Sequence, residues 1–301
     1  MDYREKYNLQ RNALLVPGVL LYRLFNFLPL LALLYMSLIS WPGIGPWKFV
    51  GFENFSLLFT NDYHRTELLR ALSHNITFFA ITITLMLGLG TLLALLLSFG
   101  TIGRAHYRTI FFLAYPMAGA AVAFLLQLTF DTRGPINALL TDILGWRERP
   151  IPFLGDKNTA LPTLAIFYSW HRMGFAIILV LSAIVSVRVS LLEAAFIDGA
   201  SRLQAIRAVI FPVLAPAFML ISVIVMVDVF NNADYTLLLM GAEAGPNRAT
   251  DVMGSFLYRT SFGGSATSTR SDMGLAAAIG LITAVMILPL ALVMTLRNMR
   301  K

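Results

Sequence analysis

The chain has 301 residues, 57% of them hydrophobic and 13% charged, about half the charged share of an average soluble domain, and a mean hydropathy of +0.73. That composition leaves too little polar surface to wrap a water-soluble body of this size and implies a polytopic membrane protein; the absence of cysteine excludes disulfides and thiolate metal sites. The net charge of +7 is spread along the chain, which suits a membrane surface and argues against nucleic acid as a partner.

A membrane-crossing helix needs about 20 apolar residues. Six segments qualify, at approximately 13–39, 72–98, 109–130, 161–186, 212–240 and 273–296. The first follows the polar stretch Met1 to Arg11, outruns a signal-peptide core and ends without a small-residue cleavage site, so it reads as a retained helix. The connections hold most of the charge and carry turn signals at Trp41-Pro42-Gly43, Arg133-Gly134-Pro135 and Phe262-Gly263-Gly264. Gly88 and Gly90, and the run Ala276 to Gly280, are small-residue surfaces suited to close helix packing. The expected architecture is all-α, a single transmembrane domain over residues 1–301 with six transmembrane helices.

Orientation follows from basic residues in the connections. With the N-terminus inside, segments 1–12, 99–108, 187–211 and 297–301 hold 11 Lys and Arg in 52 residues, against 10 in the 94 residues of 40–71, 131–160 and 241–272. The inner density is about twice the outer, which places both termini in the cytoplasm.

Charged residues within spans are costly and face a cavity or a partner. Arg172 lies roughly 16 Å from the outer start of span four and Asp228 roughly 18 Å from the outer end of span five, at 1.5 Å per residue. The depths agree, so the two can pair as a structural clamp. They can equally belong to a polar substrate path with Trp170, His171, Asn231, Asn232, Asp234 and Tyr235, where amides and carboxylates suit hydroxyls and aromatic faces suit C–H groups. Arg23 reads as a structural or lipid-interface residue. His64, His74 and His106 lack ligand spacing, so no metal site is expected. No nucleophile–base pair points to an enzyme, and the absence of G-x-x-x-x-G-K-[ST] implies that the chain does not hydrolyse ATP itself.

One cytoplasmic stretch, 187–211, is polar between two strongly apolar spans. Leu191 to Ile197 can form a short helix, Asp198-Gly199 breaks it, and Leu203, Ile206 and Ile210 then recur at helical spacing before Pro212 opens the next span. Glu193, Ala194, Ala195, Asp198, Gly199, Ala200, Pro212 and Pro216 together resemble the EAA loop of ABC importer permeases. Phe211 replaces the usual Leu before the first Pro, and Arg188 stands where a Pro often precedes the motif. The resemblance implies that loop 187–211 docks into a separate cytoplasmic ATPase, with Glu193 making charged contacts and Gly199 setting the turn.

The likeness extends over nearly the whole chain. Gly134 to Leu140, Ile151 to Gly155, Trp170 with Gly174, Phe230 to Tyr235, and Gly245-Pro246 with Thr250 look like the MalF/UgpA-like sugar permeases; Ala244 takes the place of one of two adjacent glycines. The resemblance implies a type I ABC importer permease fold and a binding-protein-dependent importer in a bacterial or archaeal inner membrane, carrying a sugar or sugar-derived solute. It implies a MalG-like second permease, an ATPase subunit dimer and an extracytoplasmic solute-binding protein as partners within the lipid bilayer. No cofactor is expected on this chain, with ATP and magnesium held by the partner ATPase. The alternative left open is an ion-coupled secondary carrier using Arg172 and Asp228 as a relay.

Overall fold

The structure, a computed structural model, describes residues 14–98, 104–231, 233–264 and 271–299. In chain order it comprises α1 (Leu14–Met36), β1 (Ile39–Ser40), β2 (Lys48–Phe49), α2 (Glu53–Thr60), α3 (Asp62–Ser98), α4 (Arg104–Leu113), α5 (Gly119–Phe130) and α6 (Pro135–Ala138). It continues with α7 (Ala160–Val185), α8 (Val189–Ile197), α9 (Arg202–Ala205), α10 (Phe211–Asn231), α11 (Asp234–Met240), α12 (Met253–Phe262) and α13 (Met273–Met299). The described residues fall into two compact units, one reaching Arg65 and rejoined by Leu257–Ile282, the other spanning Thr66–Phe256 and continuing from Thr283.

In the first unit, α1 leads into an antiparallel hairpin in which Ile39 faces Phe49 and Ser40 faces Lys48. The hairpin is held by Asn54, whose buried amide donates to Ser37 O (2.9 Å) and Ile39 O (2.8 Å). Asp272 caps α13 by accepting from the amides of Gly274 (2.9 Å) and Leu275 (3.0 Å), the usual device for orphan N–H groups at a helix start. Gly274 is required here: a Cβ would fall 1.6 Å from Ile39 O. Further along, Ala276 to Ile279 are buried, and Gly280 meets Leu33 and Leu257.

In the second unit, α3, α5, α7 and α10 supply one apolar core that includes Met86, Leu126, Leu164, Ile177, Val180, Leu214 and Ile221. Gly90 lets α3 approach α7, with Ala176 Cβ 3.3 Å from where a Cβ would stand, whereas Gly88 faces open space. The small-residue expectation therefore holds at Gly90 and not at Gly88. Asn75 is fully buried and ties α10 to α12, donating to Val229 O (2.8 Å) and accepting from Met253 N (2.7 Å). Asn137 donates to Asp131 O (2.9 Å) and Ile151 O (2.9 Å) and accepts from Ile151 N (2.8 Å), which closes the 131–151 connection on itself.

Among the described residues, four helices are long and apolar enough to cross a membrane: Leu14–Met36, Asp62–Ser98, Ala160–Val185 and Arg202–Met240; Met273–Pro289 is a shorter apolar helix. The second expected span, 72–98, begins earlier, at Asp62, because its polar first turns continue the helix outward. The third, 109–130, is two helices separated by a turn at 114–118 around Pro116, which has no N–H to give. The fifth, 212–240, runs back to Arg202 through a wide π-type turn at Ile206–Ile210.

Two glycines give a direct comparison. Gly274→Ala forces a Cβ into a backbone oxygen and is expected to destabilise by about 1–3 kcal/mol or more. Gly88→Ala enters open space and is expected to be neutral or to stabilise by up to about 1 kcal/mol through helix propensity. Thermal unfolding of the detergent-solubilised protein checks both; equal midpoints would show that the Gly274 contact yields.

Candidate functional site

Tyr168, His171, Arg172 and Phe175 recur three and four residues apart, so α7 presents them on one face. Arg172 lies about 18 Å along this helix at 1.5 Å per residue. Its Nη2 meets Asp228 Oδ2 of α10 at 3.1 Å. Tyr168 Oη donates to the same carboxylate oxygen at 2.7 Å. The guanidinium is flanked by two rings, with its carbon 5.5 Å from the Tyr115 centroid and 5.7 Å from that of Tyr168. A guanidinium over an aromatic face is attracted by the ring quadrupole, so the ion pair and both rings act on one charge.

Tyr235 of α11 extends the cluster. Its Oη and His171 Nδ1 share one hydrogen bond at 2.6 Å, and its ring meets Tyr168 edge-on at 5.8 Å. The structure therefore gathers His171, Arg172, Asp228 and Tyr235 from the residues singled out in the sequence. It places Trp170 elsewhere: that ring packs on Phe167 at 4.9 Å and helps line an apolar cavity of about 540 Å³ with Leu85, Leu89, Phe111 and Met117. Asn231 and Asp234 are exposed at the α10–α11 junction, and Asn232 lies outside the described residues.

Tyr168 and Tyr115 were missed by sequence reasoning. Tyr168 had a signal, being one turn before Arg172 on the same face. Tyr115 had none, because it reaches Arg172 only through the break between α4 and α5. A second charged group was missed as well. Buried Glu67 of α3 pairs with Arg70 at 2.7 Å and with Arg248, which also approaches Glu243 at 3.7 Å. Arg248 belongs to a connection in which Ala244, Asn247 and Arg248 all have positive φ. Thr250 and Thr236 hold that connection through bonds to Ala244 O (2.7 Å) and Thr250 O (3.0 Å).

The polar stretch after α7 has the geometry of two capped helices. At the end of α8, Gly199 has φ +81, its amide donates to Phe196 O (3.1 Å), and Ala200 N reaches back to Ala195 O (2.9 Å). This is the left-handed closing turn in which glycine has no Cβ penalty. Ser201 and Gln204 then form a reciprocal capping box at the start of α9. Glu193, Ala194, Asp198 and Gly199 are exposed, Ala195 and Ala200 half-buried. Leu192 packs against the core, while Val189, Leu191, Phe196, Ile197 and Leu203 remain exposed.

Comparison with known proteins bears on the whole chain. It is 29% identical over 282 residues to the probable ABC transporter permease protein YurN of Bacillus subtilis, covering 92% of this chain and 91% of that one. It is 26% identical to the diacetylchitobiose uptake system permease protein NgcF of Streptomyces coelicolor, covering 91% and 78%. In fold it resembles a crystal structure of a bacterial ABC transporter involved in the import of the acidic polysaccharide alginate, with a TM-score of 0.79 at 24% identity over 98% of this chain and 96% of that one. The model of the family described as binding-protein-dependent transport system inner membrane component matches residues 86–300. With more than two-thirds of its length matched and the fold shared, the chain belongs to that family and is a membrane permease of a binding-protein-dependent transport system.

Proposed function

We propose that this permease imports a sugar or sugar-derived solute, and that residues 1–301 act as one translocation domain of six spans with both termini in the cytoplasm. The observation that carries the solute class is the Arg172–Asp228 pair at mid-span, flanked by Tyr168 and Tyr115, with Tyr235 set against Tyr168. Paired opposite charges offer both donors and acceptors to hydroxyl groups, and the rings offer apolar faces to C–H groups. Relatives named for diacetylchitobiose, starch degradation products and multiple sugars support the same class.

Loop 187–211 is the proposed joint to a separate ATPase. Its exposed Val189, Phe196 and Ile197 share a helix face with Glu193, an apolar surface that a partner would cover. The working assembly would contain this chain, a MalG-like second permease, two ATPase subunits holding ATP and magnesium, and an extracytoplasmic solute-binding protein. A neighbouring fold bearing on this arrangement is an alginate ABC transporter solved with a periplasmic protein bound to alginate pentasaccharide.

The test is co-expression of the chain with its neighbouring transport genes, purification, and uptake into proteoliposomes. The probes are diacetylchitobiose, maltotriose, an alginate oligosaccharide and sn-glycerol-3-phosphate. ATP-dependent uptake of a saccharide supports the proposal; uptake by this chain alone, driven by an ion gradient, overturns it in favour of a secondary carrier.

Two variant sets refine the reading. Gly199→Pro cannot adopt φ +81 and is expected to cut co-purification of the ATPase about tenfold while the permease still accumulates. Glu193→Ala is expected to leave assembly intact and lower solute-stimulated ATP hydrolysis. The double variant Arg172→Met/Asp228→Leu removes both charges and avoids stranding either in the membrane. It is expected to assemble at wild-type yield and to lose uptake by about tenfold or more. Retained uptake would make the pair a structural clamp.

A further inference from the structure

We infer that α1 selects the second permease subunit by charge: Arg23 pairs, at the middle of the membrane, with a carboxylate carried by a span of that subunit. This rests on the two-permease assembly proposed above. Every residue from Leu14 to Ala32 is exposed, and the helix meets its own chain toward its outer end, where Leu33 approaches Gly280. For the leucines this is ordinary, since lipid tails cover them as well as protein does. Arg23 is the exception. It stands nine residues from Leu14 and thirteen from Met36, about 14 Å and about 20 Å at 1.5 Å per residue, near the centre of a hydrocarbon core of about 30 Å. No ion pair joins it to another described residue, and Asp228, the mid-span carboxylate of α10, is taken by Arg172 at 3.1 Å. A charged side chain at this depth faces a partner or a water-filled cavity.

Three further features mark the same part of α1. Arg23–Phe27 is a π-type turn in which Leu28 N donates to Arg23 O, an irregularity that recurs at functional positions in helices. Asn26 lies inside that turn and is exposed, which adds an amide to the guanidinium. Gly18 has open space where a Cβ would stand, and with Val19, Tyr22, Arg23 and Phe27 it lines a groove of about 550 Å³. Glycine on a membrane helix lets a second backbone come close. The charge decides what fills the groove. A lipid phosphate lies at the surface, and the three-carbon stem of Arg23 does not span the distance to either end of the helix. Two copies of this chain meeting about a two-fold axis along α1 would set Arg23 against Arg23. A facing span with a carboxylate answers the guanidinium, and a related permease lacking that carboxylate would strand it, so the pair discriminates between subunits.

The test uses the complex co-expressed with its neighbouring transport genes. The photo-crosslinker p-benzoyl-phenylalanine replaces Phe27, with Arg23 unchanged, and the adduct is mapped by mass spectrometry. The expected adduct is to a span of the second permease that contains Asp or Glu. An adduct to lipid alone, to a second copy of this chain, or to a span without Asp or Glu overturns the inference and leaves the assembly reading standing. A complex that purifies with no second permease overturns both. Arg23→Lys is expected to keep co-purification of the second permease. Arg23→Met is expected to lower it about tenfold while this chain still accumulates, because the substitution takes a charge off an uncovered helix. Replacing the mapped carboxylate by Leu in the Arg23→Met background is expected to restore the yield. An unchanged yield in Arg23→Met overturns the pairing, and no recovery in the double variant overturns the carboxylate as its partner.

Discussion

A guanidinium at mid-span needs a counter-charge. Stripping an ion of water costs on the order of several kcal/mol even after relaxation, so Arg172 is tolerable at this depth because Asp228 lies 3.1 Å away. The pair meets in the observed register of α7 against α10, and a shift of one residue on either helix would rotate one partner off the shared face. Tyr168 adds a hydrogen bond to the carboxylate, and two rings flank the cation. The chemistry of the cluster and the packing of the two helices are therefore one constraint.

Around that constraint, the chain manages its backbone polar groups with buried asparagines. Asn54, Asn75 and Asn137 each bridge backbone groups where a helix or hairpin ends, and each is almost fully buried. A side-chain amide carries both donors and acceptors, so it can replace the missing partner of a terminal N–H or C=O where water is scarce. Glycines do the complementary work of close approach. Gly134, Gly174 and Gly274 each admit a carbonyl oxygen within 2.5 Å or less of the space a Cβ would fill. Both devices stiffen the places where the helical ladder stops.

The stretch 189–203 obeys a different rule. Its two caps are complete, so the turn is built without help from a partner. Its apolar side chains are nevertheless largely outside, with Ile197 85% exposed. A pre-formed turn with an uncovered apolar face lowers the ordering cost of docking, because the loop does not have to fold on contact. This physical feature accords with the joint proposed for it.

Composition alone determined that the chain lives in a membrane, and the spacing of Glu193, Asp198 and Gly199 determined the helix–turn–helix that follows span four. Both are local properties: apolar runs of sufficient length, and a glycine where φ must be positive. The pairing of Arg172 with Asp228 was also legible, because equal depth on two helices is simple arithmetic once the spans are known. The tertiary structure alone decided the rest. Hydropathy cannot register a five-residue interruption inside an apolar segment, so the break at 114–118 read as continuous helix and Tyr115 stayed hidden. Trp170 sits beside Arg172 in sequence, yet about 100° per residue of helical rotation turns it toward a different cavity. Glu67 and Arg248 are 181 positions apart, and no local pattern connects them. Sequence fixes what a residue can do with its neighbours along the chain; contacts between distant segments depend on how helices rotate and end, and those are settled only when the core packs.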